Sequence, residues 1–126
     1  MGEPLGVGSR ATGVGFVGFR TDRFDDMVRF FGESLGLERI RDAEGAAWFR
    51  LGDGELHVYY VTDPDHAFFT TGPVVGLVVD DVGALRGRLE PIGIEFIGEV
   101  QRSWGAAWSH FRAPDGTVME IIDRRG

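Results

Sequence analysis

Apolar and polar positions in the first half of the chain alternate in a way that predicts one short helix among strands. A Gly-rich leader reaches about residue 12, and the apolar run that follows over residues 14–19 is typical of a strand. Four apolar residues then recur at helical spacing: Phe24, Met27, Val28 and Phe31. Three further strands are predicted over residues 38–41, 46–51 and 55–61, the last two joined by a Gly-Asp-Gly turn. The predicted order is βαβββ.

The same order returns in the second half. A strand over residues 74–79 is followed by a helix that begins at Asp80-Asp81 and ends near residue 90, and strands are predicted near residues 94–100, 107–112 and 118–123. The residues Ala46-Ala47-Trp48-Phe49-Arg50 return as Ala106-Ala107-Trp108 and Phe111-Arg112, with two residues inserted. A period of about 60 residues is longer than solenoid repeats. We therefore predict a single domain, residues 1–126, made of two modules over residues 13–63 and 73–123 joined by residues 64–72.

Charge and composition narrow the range of partners. The net charge of −7, with all 13 basic residues being scattered arginines, argues against nucleic acid and anionic membranes as partners. The absence of cysteine excludes disulfides and thiolate chemistry, so only oxygen and imidazole ligands are available to a metal. No apolar run is long enough to span a membrane and no leader for export is present, so we expect a soluble cytoplasmic protein.

Three motifs carry a family resemblance: Phe30-Phe31 before Leu35-Gly36-Leu37, then Val79-Asp80-Asp81-Val82, then Phe111-Arg112-Ala113-Pro114-Asp115-Gly116-Thr117-Val118-Met119-Glu120. With these motifs the chain resembles the vicinal oxygen chelate superfamily, which contains glyoxalase I, bleomycin-resistance proteins and extradiol dioxygenases. The resemblance implies an α+β fold in which two βαβββ modules form a curved mixed sheet around a cavity. It also implies a small-molecule ligand, a homodimer, and in many members a divalent metal that holds vicinal oxygens of the substrate.

The resemblance gives this chain an incomplete set of metal ligands. Glu120 matches the glutamate of the family's last strand, and His57 is its counterpart in the first module by strand parity, although a strict count from the turn glycines selects Val58. Phe16 and Val74 are apolar where metal-binding members have His or Gln. One divalent ion (Ni, Zn, Mn or Fe) and no metal are therefore equally open, and the standard glyoxalase I activity is disfavoured.

Strand parity indicates further ligand-binding candidates on the same side as these positions. The candidates are Trp48, Arg50, Tyr59, Trp108, Arg112 and, in the neighbouring loop, Arg102. His110 is the candidate acid or base at neutral pH, together with Glu120 as a catalytic carboxylate. The segment Asp63-Pro64-Asp65-His66 has residue types that bind metals, but its proline favours a solvated turn with His66 exposed.

Two functions of different classes fit these residues. In the first, Glu120 and His57 bind a metal and His110 moves a proton on a small oxygenated substrate, as in a lyase or isomerase. In the second, the chain binds and sequesters an aromatic or antibiotic-like molecule through Trp48, Trp108 and Tyr59 without a metal. Packing of these aromatic residues on the concave face of the sheet or in a dimer interface is the alternative to the second function.

Overall fold

A computed structural model describes residues 10–124. It divides into two compact units, which we call the central unit (residues 15–75) and the terminal unit (residues 76–124 with residues 10–14). Most of the predicted N-terminal leader lies outside the described residues, and the first strand already begins at Ala11. In the described part of the chain, no helix is long and apolar enough to cross a membrane.

The central unit is a mixed sheet with one helix. Its elements are the C-terminal part of β1 (Ala11–Thr21), α1 (Phe24–Arg29), β2 (Arg39–Ala43), β3 (Ala46–Leu51) and β4 (Gly54–Tyr60). The strand order is β2-β3-β4-β1, with β1 parallel to β4 and the other neighbours antiparallel. The predicted helix runs on from α1 as a π-helical turn, Phe30–Ser34, before Gly36 adopts a left-handed conformation with φ 72°.

Phe49 is the centre of the apolar core of the central unit. It is fully buried with Phe31, Leu56 and Val58, and the helix residue Met27 packs against this cluster. The register of β3 and β4 pairs Phe49 with Leu56 and Trp48 with His57. Because successive side chains of a strand point to opposite faces, the even-numbered β3 residues and odd-numbered β4 residues face away from this core.

The terminal unit repeats this arrangement. Its elements are β5 (Val74–Val79, which begins in the central unit), α2 (Val82–Leu89), β6 (Phe96–Ser103), β7 (Ala106–Arg112) and β8 (Val118–Arg124). The strand order is β5-β8-β7-β6, with β5 parallel to β8. Asp81 caps α2 by accepting a hydrogen bond from the Ala84 backbone, and the buried carboxylate of Asp123 accepts one from Val82 at 2.8 Å. Phe111 lies in the core with Val82, as Phe49 does beneath α1.

The turn between β7 and β8 is formed by the Asp115-Gly116-Thr117 segment of the third family motif. Thr117 donates its backbone N–H to Oδ1 of Asp115 at 3.0 Å, and this hydrogen bond to the charged carboxylate lowers the pKa of Asp115. Gly116 adopts φ 91°, a left-handed conformation that side-chain-bearing residues rarely take. The turn therefore depends on the Asp-Gly pair. It determines where β8 begins and so fixes the position of Glu120 along that strand.

The predicted fold class is confirmed: in the part of the chain that the structure describes, eight strands form mixed sheet, and the order βαβββ occurs twice with one α-helix in each copy. The bounds of β3 and β5 agree with the prediction, whereas β2 and β6 lie one to three residues further along the chain. For β6 the reason is Gly93, whose left-handed φ of 99° ends the helical segment, and the hairpin with β7, which extends pairing to Ser103.

Candidate functional site

His57 on β4 is held by three neighbours within the central unit. Its Nε2 lies 2.8 Å from Oε1 of Glu55, and its Nδ1 lies 2.9 Å from the hydroxyl oxygen of Tyr59. Its ring also stacks on Phe16, with 4.5 Å between ring centroids and 19° between planes. Both ring nitrogens are thus engaged by side chains of the same strand, and one ring face is covered.

Tyr59 is the centre of an aromatic cluster on the same face. Trp48 contacts both His57 and Tyr59 edge-on, with ring centroids 6.0 and 6.1 Å apart. On another side, His66 stacks on Tyr59 with only 3.6 Å between centroids, and Phe69 packs against both rings. The cluster is therefore already packed by the chain's own aromatic rings.

The prediction that His66 is exposed is wrong. Its side chain is largely covered, stacking on Tyr59 and placing Nδ1 3.1 Å from Oδ2 of Asp63. The cause is local: Asp63 accepts a hydrogen bond from the Asp65 backbone and begins a 3₁₀ turn over Pro64–His66, which brings the imidazole back against β4. The proline favours the turn, as predicted, and Pro64 and Asp65 are exposed, but the turn folds the His66 side chain back onto the sheet.

His110 and Glu120 form the polar pair of the terminal unit. They are directly opposite each other on β7 and β8, with 2.7 Å between Nε2 of His110 and Oε1 of Glu120. Both are buried, with only 8% and 5% of their surfaces exposed. The two atoms are in close contact, although their geometry is not that of an aligned hydrogen bond. Strand parity places the pair on the face opposite Phe111 and α2, as the sequence predicts.

The register also resolves which residue of the first module corresponds to Glu120. The segment Val17-Gly18-Phe19 of the first module returns as Val75-Gly76-Leu77 in the second, so Gly18 and Gly76 are equivalent. Gly18 pairs with His57 in the central unit, and Gly76 pairs with Glu120 in the terminal unit. His57 rather than Val58 is therefore the counterpart of Glu120. By the same reasoning Trp48, opposite His57, corresponds to His110, so the two inserted residues displace Trp108 by two positions along β7.

The remaining candidates are spread over several places. Trp108 pairs with Ile122 on β8, two positions from His110 on the same face, and is partly buried. Arg112 donates to the carbonyl of Gly116 at 3.2 Å, and exposed Arg50 lies 3.3 Å from Glu38. Arg102 pairs with Ala107, whose side chain belongs to the core beneath α2, so the register does not bring Arg102 together with Trp108.

A divalent metal, which the family resemblance implies, does not fit the donors of this chain. Phe16 and Val74 are buried apolar residues where the resemblance places ligands, and His57 has both nitrogens engaged by Glu55 and Tyr59. Over residues 10–124, no group of three or more His, Asp or Glu side chains is arranged to hold a metal ion. The protein ligands that remain are too few to hold a metal ion against competition from water.

Comparison with known proteins identifies the family. Residues 13–121 match the Glyoxalase/Bleomycin resistance protein/Dioxygenase superfamily, so the chain belongs to that superfamily. No functionally curated protein matches the chain significantly.

Solved structures share the fold. Methylmalonyl-CoA epimerase from Mycobacterium tuberculosis is 16% identical with a TM-score of 0.70, and the match covers 97% of this chain and 94% of that one. The Mn(II)-bound glyoxalase from Novosphingobium aromaticivorans is 24% identical with a TM-score of 0.75, over 94% of this chain and 40% of that one. Methylmalonyl-CoA epimerase from Streptomyces coelicolor, in complex with 2-nitronate-propionyl-CoA, is 18% identical with a TM-score of 0.69, over 93% and 100%. At these identities the likeness shows the fold alone.

Two features of the site were missed by sequence reasoning. Strand parity puts Glu55 and Tyr59 on the same face as His57, yet nothing in the spacing indicates that both bond the same imidazole. The stack of Phe16 on His57 was also missed, although its signal was present. An aromatic residue at a position where relatives place a ligand indicates that the ligand's space is filled.

Proposed function

We propose that this protein binds a small oxygenated molecule and moves a proton on it through His110, supported by Glu120, without a metal ion. The observation that carries the proposal is the buried contact between Nε2 of His110 and Oε1 of Glu120. A carboxylate beside one ring nitrogen stabilises the protonated imidazole, so the ring can take a proton from a carbon acid and return it.

The surroundings of the pair support this chemistry. Both side chains are almost excluded from water, and electrostatic interactions are stronger there than at an exposed position. Isomerisation and epimerisation of carbonyl compounds need a proton to leave and return at carbon. Two of the solved structures with this fold are methylmalonyl-CoA epimerases, which supports a reaction of this kind as the proposed chemistry.

Deuterium incorporation tests the proposal without knowledge of the natural substrate. Chelator-treated protein is incubated in D₂O with small ketones such as hydroxyacetone and dihydroxyacetone, and loss of the signal of the hydrogens next to the carbonyl is followed by ¹H NMR. We expect protein-dependent exchange that falls about a hundredfold or more in His110→Gln and Glu120→Gln. Glu99→Gln, the same change at an exposed β6 position, is the matched control and should exchange at the wild-type rate.

A second candidate function is sequestration of a planar molecule. The partly buried Trp48 favours it, because His57 and Tyr59 contact its ring edge-on rather than by stacking, and aromatic rings bind planar ligands by stacking. Saturable quenching of tryptophan fluorescence by an aromatic ligand, lost in Trp48→Leu, without deuterium exchange in any ketone tested would favour sequestration over proton transfer. A homodimer and a cytoplasmic location stay predictions from the sequence.

A further inference from the structure

Strand β4 carries three polar side chains at alternate positions that form a continuous chain of hydrogen bonds: Glu55 is bonded to His57, and His57 to Tyr59. We propose that they form a proton relay that makes the Tyr59 hydroxyl a second acid–base group of the protein. The ligand it would act on is a small molecule with a weakly acidic O–H or N–H group. The relay lies wholly within the central unit and does not depend on His110 or Glu120.

The direction of each hydrogen bond follows from the chemistry of the three groups. An ionised carboxylate only accepts hydrogen bonds, so the 2.8 Å contact with Glu55 requires the hydrogen to be on Nε2 of His57. In the neutral ring the other nitrogen, Nδ1, then has a lone pair and accepts. At 2.9 Å, the Tyr59 hydroxyl must therefore donate its hydrogen to Nδ1.

This order permits a complete proton transfer. The phenol oxygen of Tyr59 takes the proton of the ligand's acidic O–H or N–H while the tyrosine's own proton passes to Nδ1 of His57. The ligand becomes an anion, His57 becomes an imidazolium paired with Glu55, and Tyr59 stays neutral throughout. The reverse transfer returns both protons. The logic is that of a carboxylate, a histidine and a hydroxyl acting in series, with phenol in the place of an alcohol.

Neighbouring rings hold the relay in this geometry. Phe16 stacks on the imidazole of His57, and His66, itself held by Asp63, stacks on the phenol ring. A side chain whose rotamer is fixed by packing on its ring faces needs no reordering at the moment of transfer. Phe16 lies where the family resemblance implies a metal ligand, and here its ring covers one face of the hydrogen-bonded His57 instead.

The chain supplies its own control for the reactivity of Tyr59, because its two tyrosines are adjacent. Tyr59 has only 4% of its surface exposed, whereas Tyr60 has 37% exposed and lies on the other face of β4. With N-acetylimidazole, a small acyl donor, a structural tyrosine that is buried should react more slowly than its exposed neighbour. The relay predicts the opposite order, because His57 removes the proton as the Tyr59 oxygen forms the acetyl ester and imidazole leaves.

The experiment follows acetylation of both tyrosines in the intact protein by peptide mass spectrometry. We expect Tyr59 to be modified at least about tenfold faster than Tyr60, and this preference to disappear in His57→Gln and Glu55→Gln. Glu38→Gln, at an exposed carboxylate of the same unit, should leave it unchanged. Faster labelling of Tyr60 in the wild type, or an unchanged preference in Glu55→Gln, would overturn the proposal.

A second measurement on the unmodified protein keeps the proposal testable if the His57 variant does not fold. ¹⁵N NMR of the histidine rings distinguishes the two neutral tautomers. We expect His57 to carry its hydrogen on Nε2 in the wild type. A hydrogen on Nδ1 would make Tyr59 an acceptor rather than a donor, and the relay would be excluded.

Discussion

Replacing His110 by alanine is expected to lower the free energy of unfolding by about 3–5 kcal/mol. The change leaves the buried carboxylate of Glu120 without the imidazole that now lies 2.7 Å from it. An uncompensated charge in a water-excluded position costs far more than the lost contact alone. Glu120→Ala should also be costly, because it leaves a buried polar imidazole facing a cavity. Urea unfolding followed by circular dichroism measures both losses.

The double variant His110→Ala/Glu120→Ala separates the pair interaction from cavity formation. If the two residues act as a pair, the double variant loses clearly less stability than the sum of the single losses, because no charge is left unpaired. Additive losses would mean that the two side chains are independent parts of the core, and the proposed support of His110 by Glu120 would be wrong.

Phe49→Ala is expected to cost about 3–5 kcal/mol, a large share of the stability of a domain of this size. Phe49 is fully buried against Phe31, with their ring centroids 6.2 Å apart, and lies at the centre of the core of the central unit. Removing the ring leaves a cavity that neighbours on a helix and a sheet cannot fill. The free energy of unfolding from urea titration measures the loss.

Phe30→Ala is the matched control for Phe49→Ala, because about half of the Phe30 surface is exposed on the π-helical turn. It should cost much less, since solvent-exposed substitutions away from special features change stability little. A cost for Phe49→Ala no greater than for Phe30→Ala would contradict the assignment of the helix-facing side of β3.

The fold could be predicted from the sequence because its local signals and its periodicity agree. The alternation in β4 placed Leu56 and Val58 toward the helix and His57 away from it, and the cores show this arrangement. Gly36 and Gly116 adopt left-handed conformations at turns, where glycine is the residue that the sequence would be expected to supply. Strand parity in β7 likewise puts His110 on the face opposite Phe111, and its role as an acid or base stays a prediction.

Which side chains of the candidate site contact one another depends on strand register and side-chain torsions, and the periodicity of the sequence determines neither. The sequence left His57 and Val58 as alternative counterparts of Glu120, and only the pairing of Gly18 with His57 decides between them. The exposure of His66 was mispredicted because the same residues allow a proline turn whose histidine points into solvent or packs back onto the sheet. Whether Nδ1 of His57 faces Tyr59 depends on a ring torsion that no spacing encodes.

Metal stoichiometry tests most directly whether the proposed proton transfer proceeds without a metal ion. Protein without a tag is loaded with Ni, Zn, Mn or Fe, freed of unbound metal by gel filtration and measured by elemental analysis. We expect far less than one ion per chain with every metal, and no further change in Glu120→Gln or His57→Gln. Near-stoichiometric metal that is lost in either variant would contradict metal-free proton transfer and would support the chelate chemistry that the family resemblance implies.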